Sequence, residues 1–251
     1  VSGSREVSFL EYYSSRWKDF VNPEHTVRGS CYGYRIFKRL GRDESQWESV
    51  RRLLSADPAS RRAVLTLSEP LGDRAVTAKD IACATSVQFL LRENKLHTIV
   101  YMRSNDAFLG LPYDVFLFTM VQELLASELG VDVGSYYHCV GSIHLYERNV
   151  EAAESMLRDP SIHELEMPPL SHREELETFL KTERAFRLGS KSAEELLQGL
   201  STYWRELAEV LSWYSLVKCG SAKSTALKVI SSDSPYRELI GEQSASRTLE
   251  T

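Results

Sequence analysis

The chain has 251 residues, 43% hydrophobic and 26% charged, an ordinary globular composition with length enough for a substantial core. A net charge of −5 excludes the global basic field that duplex DNA or an anionic membrane selects, and no apolar run reaches the roughly 20 residues of a membrane span. Four cysteines (Cys31, Cys83, Cys139, Cys219) show neither metal spacing nor a dense disulfide framework, and no signal peptide is visible. No metal, nucleic-acid or membrane partner is therefore expected, and the natural setting is a reducing cytoplasm.

Ser8 to Phe20 reads as an amphipathic helix with Phe9, Leu10, Tyr13, Trp17 and Phe20 turned inward. Asp43 to Ala56 predicts a second helix, with Trp47, Val50, Leu53 and Leu54 as its apolar face. Arg61-Arg62 then leads into Ala63–Leu67, a short strand. Two runs rich in β-branched and aromatic residues, Val87–Leu91 and Leu96–Met102, are separated by Glu93-Asn94-Lys95, which predicts two strands and a tight turn. Val115 to Leu129 is apolar around most of its circumference, the mark of a helix buried within a domain, and Gly130 is its C-terminal cap. Tyr136 to Tyr146 reads as one strand with a bulge at Gly141, so that His144 and Tyr146, two apart, share a face. Glu151–Leu157 and a long Ser192–Leu216 segment are helical in pattern, Thr225–Ile230 is a short strand, and the Ser/Glu-rich end is loose.

The stretch from Cys83 to Asp114 concentrates the reactive residue types, at strand ends and in the loops after them, where a rigid scaffold presents function. It holds Cys83, then Gln88-Phe89, Arg103-Ser104-Asn105-Asp106 and Phe108-Leu109-Gly110-Leu111-Pro112-Tyr113-Asp114. In order and spacing, over about thirty residues, it resembles thymidylate synthases and their hydroxymethylase relatives, whose pattern is a cysteine, Q-F, R-S-x-D and F-L-G-[LV]-P-[FY]-N. Looser matches flank it: Gly29-Ser-Cys-Tyr32-Gly33 to G-P-x-Y-G, Asp57-Pro-Ala-Ser-Arg61-Arg62 to D-P-x-S-R-R, and Gly141-Ser-Ile-His144-Leu-Tyr146 to G-D-x-H-x-Y. The likeness fades after Asn149; Met167-Pro168-Pro169-Leu170 resembles a remnant of the family's proline-rich strand. The implied fold is α+β, a mixed sheet with a buried central helix and surrounding helices. It is read as one domain over 1–251, divergent and helical from about 150, and the family's upstream glutamate and phosphate-loop arginine have no counterpart here, as if an N-terminal portion were missing.

The resemblance also implies roles. Cys83 is the nucleophile that adds to pyrimidine C6, and Tyr32 helps remove the C5 proton. Arg61 and Arg62 grip the phosphate of the neighbouring subunit, which makes a homodimer with a shared phosphate site. Arg103 and Ser104 contact phosphate, His144 and Tyr146 hold the sugar hydroxyl, and Asp106, Gly110 and Trp17 belong to the folate side. The cosubstrate is 5,10-methylenetetrahydrofolate and the substrate a pyrimidine nucleoside monophosphate. Each residue also has a plainer reading: an inert core cysteine, a packing tyrosine, a solvated arginine pair, a satisfied strand-end histidine. A cationic neighbour lowers a thiol's pKa, and Arg103 is the candidate for Cys83.

Asp114 stands where thymidylate synthases carry asparagine. Cytosine accepts at N3 and donates at N4, the reverse of uracil, and a protonated carboxyl can donate to the first and accept from the second. Burial favours that protonated form. The plainer reading is a helix N-cap. Ala82 and Ala84 replace the proline and histidine that flank the family cysteine, leaving room that favours a ribose over a deoxyribose. The expectation is 5-hydroxymethylation of a cytidine monophosphate, CMP over dCMP, as in mildiomycin-type CMP hydroxymethylases of nucleoside-antibiotic pathways. The alternatives are a thymidylate or uridylate C5 methylase and a catalytically silent binding subunit.

Overall fold

The computed structural model describes residues 3–27, 29–69, 78–158 and 167–246. The chain divides into two compact units, Val1–Asp159 and Pro160–Thr251.

The first unit is built on a four-stranded sheet. Its strands are β1 (Val64–Thr66), β2 (Ala84–Arg92), β3 (Lys95–Met102) and β5 (Asp132–Val140), in the order β1-β2-β3-β5. β1, β2 and β3 pair antiparallel, and β3 and β5 pair parallel. Glu93 and Asn94 form the β2–β3 turn with φ of 50° and 58°. Two consecutive positive φ values match the right-handed strand twist and allow a two-residue loop. A parallel neighbour for β3 needs a long crossover. Helix α4 (Gly110–Leu129) supplies it, and Gly130 ends the helix in the left-handed conformation (φ 67°) as expected.

One sheet face and α4 make the core. Val87, Phe89, Leu96, Val100 and Met102 are buried on the sheet side, and Phe118, Val121, Leu124 and Leu125 on the helix side. Gln122, also buried, donates to the carbonyls of Leu96 (2.7 Å) and Gly134 (3.1 Å), satisfying its polar head inside that core. Helix α3 (Gln46–Ala56) packs beside them through Trp47, Val50 and Leu54, and Trp47 Nε1 donates to Glu128 of α4 (3.1 Å). The other sheet face is open: Val64, Tyr101, Val133 and Tyr137 are exposed large side chains.

Several boundaries depart from the sequence pattern. The N-terminal segment is α1 (Val7–Tyr13) followed by a 3₁₀ turn over Ser15–Phe20, because Ser14 is extended (φ −154°, ψ 125°) and breaks the helix. The second helix starts at Gln46, since Ser45 and Glu48 form a reciprocal capping box. α4 starts five residues earlier than its apolar run. It is also not buried all round, for Tyr113, Phe116 and Leu117 are exposed. Tyr136–Tyr146 is not one strand: β5 ends at Val140, and β6 (Ile143–His144) pairs instead with β4 (Asn105–Asp106) in a separate ribbon. α2 (Tyr32–Phe37) and α5 (Val150–Arg158) complete the first unit's helices among the described residues.

The second unit is helical among its described residues: α6 (Leu176–Arg187), α7 (Ala193–Gln198), α8 (Thr202–Lys218), α9 (Lys223–Ala226) and α10 (Pro235–Ser246). The long 192–216 helix is therefore two, broken over Gly199–Ser201, where Ser201 turns extended (ψ 167°). Residues 223–229 form helical turns rather than a strand, and 167–170 carry no strand. Trp204 is the unit's centre; buried, it donates to the carbonyls of Ser171 (3.0 Å) and His172 (2.9 Å) and packs on Phe179. The Ser/Glu-rich end beyond 246 lies outside the described residues.

Candidate active site

Cys83 sits immediately before β2, free and half-buried. The β2–β3 register slips between Ala84 and Ser86, a bulge that re-aims the residues beside it. Arg103, at the far end of β3, folds back over the same corner. Its Nε donates to Ala82 O (2.9 Å), its Nη2 to Ile81 O (3.0 Å), and Nη2 lies 3.6 Å from Cys83 Sγ. The cation is where the sequence put it, but the balance differs from the expectation. Burial pushes the Cys83 thiol up, Arg103 pulls it down, and Asp114 and Asp80 push it up again, so the net direction is upward.

Tyr32 is the first residue of α2. It is buried, stacks on Phe118 (5.6 Å between ring centroids) and accepts at Oη from the Ala84 N–H (3.0 Å). Burial is the main cause of its raised pKa, and the charges of Asp114 and Cys83 add to it. The preceding loop is pinned by Asp80, which accepts from the backbone N–H groups of Gly29 (2.6 Å) and Ser30 (2.9 Å). A Cβ at Gly29 would lie 2.7 Å from Asp80 O, so glycine is required there.

Asp114 is not a helix cap. α4 begins at Gly110, so Asp114 is its fifth residue; the turn into the helix is held instead by Asp106, whose carboxylate accepts from Phe108 N–H (3.0 Å) and Leu109 N–H (3.4 Å). Asp114 Oδ2 accepts from Asn105 Nδ2 (2.6 Å). Burial raises the Asp114 pKa to about 6, against the lowering effect of that bond. Gly110 belongs to the same close approach, since a Cβ there would lie 3.3 Å from Asn105 Nδ2 and from Asp106 Cβ.

The structure thus brings Cys83, Arg103, Tyr32 and Asp114 into one cluster. Ser104 Oγ lies 3.4 Å from His144 Nδ1. His144 and Tyr146 touch through their rings (4.9 Å), although only His144 is in a strand. Arg61 and Arg62 are exposed just before β1, and Arg62 comes within 3.9 Å of Asp57. Trp17 packs on Val7, Val27 and Cys31. The sequence reading missed Asn105, Tyr136, His138 and Asp80. Alternation was the available signal for two of them: Tyr136 and His138 are polar aromatics two apart on β5 that pair with the buried Thr98 and Val100. Among the described residues no group of three His, Cys, Asp or Glu is arranged to hold a metal, and no helix is long and apolar enough to cross a membrane.

The family model for thymidylate synthase matches residues 1–186. The chain belongs to the thymidylate synthase family. Thymidylate synthase from Francisella philomiragia is 29% identical over 185 residues, covering 68% of this chain and 65% of that protein. Thymidylate synthase 1 from Bacillus spizizenii is 30% identical over 141 residues, covering 54% and 49%. The thermostable thymidylate synthase A from Bacillus subtilis superposes with a TM-score of 0.55 at 25% identity, over 64% of this chain and 59% of that one. The chain therefore has a thymidylate synthase-like α+β fold and spans about half to two thirds of the length of these relatives.

Proposed function

We propose that this protein transfers a one-carbon unit from 5,10-methylenetetrahydrofolate to C5 of a pyrimidine nucleotide, with a cytidine monophosphate as acceptor and water completing the product as a 5-hydroxymethyl group. Family membership supports the one-carbon transfer. Asp114 carries the base assignment: a half-buried carboxyl with a raised pKa, at the asparagine position of the family motif, freed from any capping duty.

In this reading the Cys83 thiolate adds to C6 and makes C5 enamine-like, and the Asp114 carboxyl supplies the proton that N3 takes up as the adduct forms. C5 then attacks the one-carbon electrophile; loss of the C5 proton, assisted by Tyr32, breaks the carbon–nitrogen bond to the donor, expels tetrahydrofolate and leaves an exocyclic methylene, to which water adds. Elimination of Cys83 releases product. At neutral pH the resting site holds Cys83 as thiol and Asp114 largely as carboxylate, which carry the same proton count as the productive pair of thiolate and carboxylic acid. The methylene donor is a second substrate, and Trp17, Asp106 and Gly110 are the residues proposed on its side. Arg61, Arg62, Arg103 and Ser104 are proposed for phosphate, and His144 with Tyr146 for the sugar.

The open face of the sheet, with Val64, Tyr101 and Tyr137, supports a homodimer in which the exposed Arg61-Arg62 pair serves the partner's phosphate. Sedimentation at micromolar concentration should give twice the chain mass, and a fully active monomer would refute the shared site.

The test of function is to incubate the protein with methylenetetrahydrofolate and each pyrimidine monophosphate and weigh the products. Asp114→Asn should move the cytidylate-to-uridylate ratio of kcat/KM at least about tenfold toward uridylate, since an unmatched buried polar group costs about 1–3 kcal/mol. An unchanged ratio sinks the cytosine assignment. The second reading, thymidylate-type C5 methylation, is favoured by the relatives, which are thymidylate synthases. A methylated uridylate product would establish it.

A further inference from the structure

Tyr136, His138 and Asn105 form a line of hydrogen bonds that ends on Asp114. Tyr136 Oη lies 2.8 Å from His138 Nδ1, His138 Nε2 lies 3.4 Å from Asn105 Oδ1, and Asn105 Nδ2 lies 2.6 Å from Asp114 Oδ2. The donor inventory sets the direction of every bond. Asn105 gives its nitrogen to Asp114, so its oxygen faces His138. An amide oxygen only accepts, so His138 carries its proton on Nε2. A neutral imidazole protonated there has a bare Nδ1, which accepts from the Tyr136 hydroxyl. Burial keeps His138 below its ordinary pKa, hence neutral, and burial with the Asp114 charge keeps Tyr136 protonated. Every donor in the line points toward Asp114.

A carboxylic acid with no such neighbour can place its proton on either oxygen. One arrangement offers a base the donor–acceptor order that cytosine matches, and the other offers the order that uracil matches. Protonation by itself therefore does not discriminate; the choice of oxygen does. We propose that Tyr136, His138 and Asn105 are positioning residues that commit Asp114 Oδ2 to accepting, so that the acidic proton sits on Oδ1 and the site presents one donor–acceptor order only. His138 has the decisive place, because its Nε2–H prevents the Asn105 amide from flipping. A flipped amide would offer its oxygen to Asp114 and draw the proton to Oδ2. This inference rests on the proposed reading of Asp114 as the group that recognises the base. The titratable groups that feel the Asp114 charge are Tyr32 on α2, Cys83 before β2 and Tyr136 on β5.

The experiment has a structural arm and a selectivity arm. Nitrogen-15 NMR of the histidine rings in the intact protein should find His138 with its proton on Nε2. His138→Phe should lower the cytidylate-to-uridylate ratio of kcat/KM by about fivefold or more, because the released amide lets the carboxyl adopt the second order. His138→Gln, which keeps an N–H for Asn105, should restore most of the ratio; a merely structural role would not separate the two variants in this way. Asn105→Ala, if it folds, should move the Asp114 carboxyl titration above about 6, since it removes the bond that holds it down. A proton on His138 Nδ1, or an unchanged ratio in His138→Phe, overturns the positioning line while leaving the Asp114 reading intact. A wild-type ratio near one overturns the Asp114 reading itself, and the proposal with it.

Discussion

The two ends of the Cys83–Asp114 cluster are held by different means. At the nucleophile end, Arg103 is anchored on the backbone carbonyls of Ile81 and Ala82, and Tyr32 on the Ala84 N–H. At the other end, Asp114 is held by side chains in series, drawn from β4 and β5. Backbone anchors persist whatever the neighbouring side chains are, so that end tolerates change around it. A series of side chains fails at its weakest member, and here the longest link is the 3.4 Å contact between His138 and Asn105. The corner around the proposed nucleophile is thus built robustly and the group proposed for the base is built adjustably. That is the division expected if base preference is what varies within such a fold.

The largest effect that sharpens this contrast is at Cys83. Cys83→Ala should lower turnover at least about a thousandfold, because the addition step has no substitute nucleophile. Nucleotide affinity by calorimetry should stay close to wild type, since the thiolate adds after binding. Substantial product from this variant would remove Cys83 from the catalytic role.

A smaller effect belongs to Asp114. Its folded pKa of about 6 lies above the ordinary 3.8, so its ionisation opposes folding. The stabilising contribution of the bound proton is complete below about pH 4 and is lost as pH rises through 6. Asp114→Asn should therefore raise stability at pH 8 by about 2 kcal/mol, after discounting for partial exposure, and leave it unchanged at pH 4. Urea midpoints at the two pH values decide this, and equal gains at both would mean that the carboxyl is not strained by burial.

The smallest effect is at Arg103. Replacing it with alanine removes the cation that pulls the Cys83 pKa down against burial, Asp114 and Asp80. Alkylation of Cys83 at pH 8 should slow by about fivefold, equivalent to about 1 kcal/mol at the thiolate. An unaltered rate would show that Arg103 acts on the carbonyls of Ile81 and Ala82 and not on the sulfur.

The same contrast explains what was legible in the sequence. Cys83, Arg103 and Asp114 fall within one continuous stretch whose hairpin was readable from β-branched runs and a three-residue separator, and the Gly130 cap from its position. The Asp114 cap reading failed because the apolar run begins at Val115 while the helix is set one turn earlier by Asp106 and its Asx-type bonds to Phe108 and Leu109. His144 and Tyr146 were given to one strand because period-2 spacing says nothing about a change of partner, and here β6 leaves the main sheet for β4. Tyr136 and His138 carry no motif; alternation puts them on one face of β5, but which residues that face meets depends on β5 lying parallel to β3, a pairing that periodicity cannot reveal. The raised Cys83 thiol was illegible for a similar reason, since burial and two carboxylates outweigh a correctly placed arginine.

The parallel pairing also bears on the order in which the molecule assembles. The β2–β3 hairpin closes over two residues, whereas β5 can dock on β3 only after the 20-residue α4 has crossed between them. Loop-closure entropy makes the hairpin early and the β3–β5 contact late. Cys83 and Arg103 flank the hairpin, so the reactive corner should exist in the folding transition state. Tyr136 and His138 arrive with the last strand. Pulse-labelled amide exchange should accordingly protect Arg103, which donates to Cys83 O across the hairpin, before Gly141, which donates to Met102 O across the parallel pair, and destabilising substitutions on β5 should speed unfolding without slowing folding.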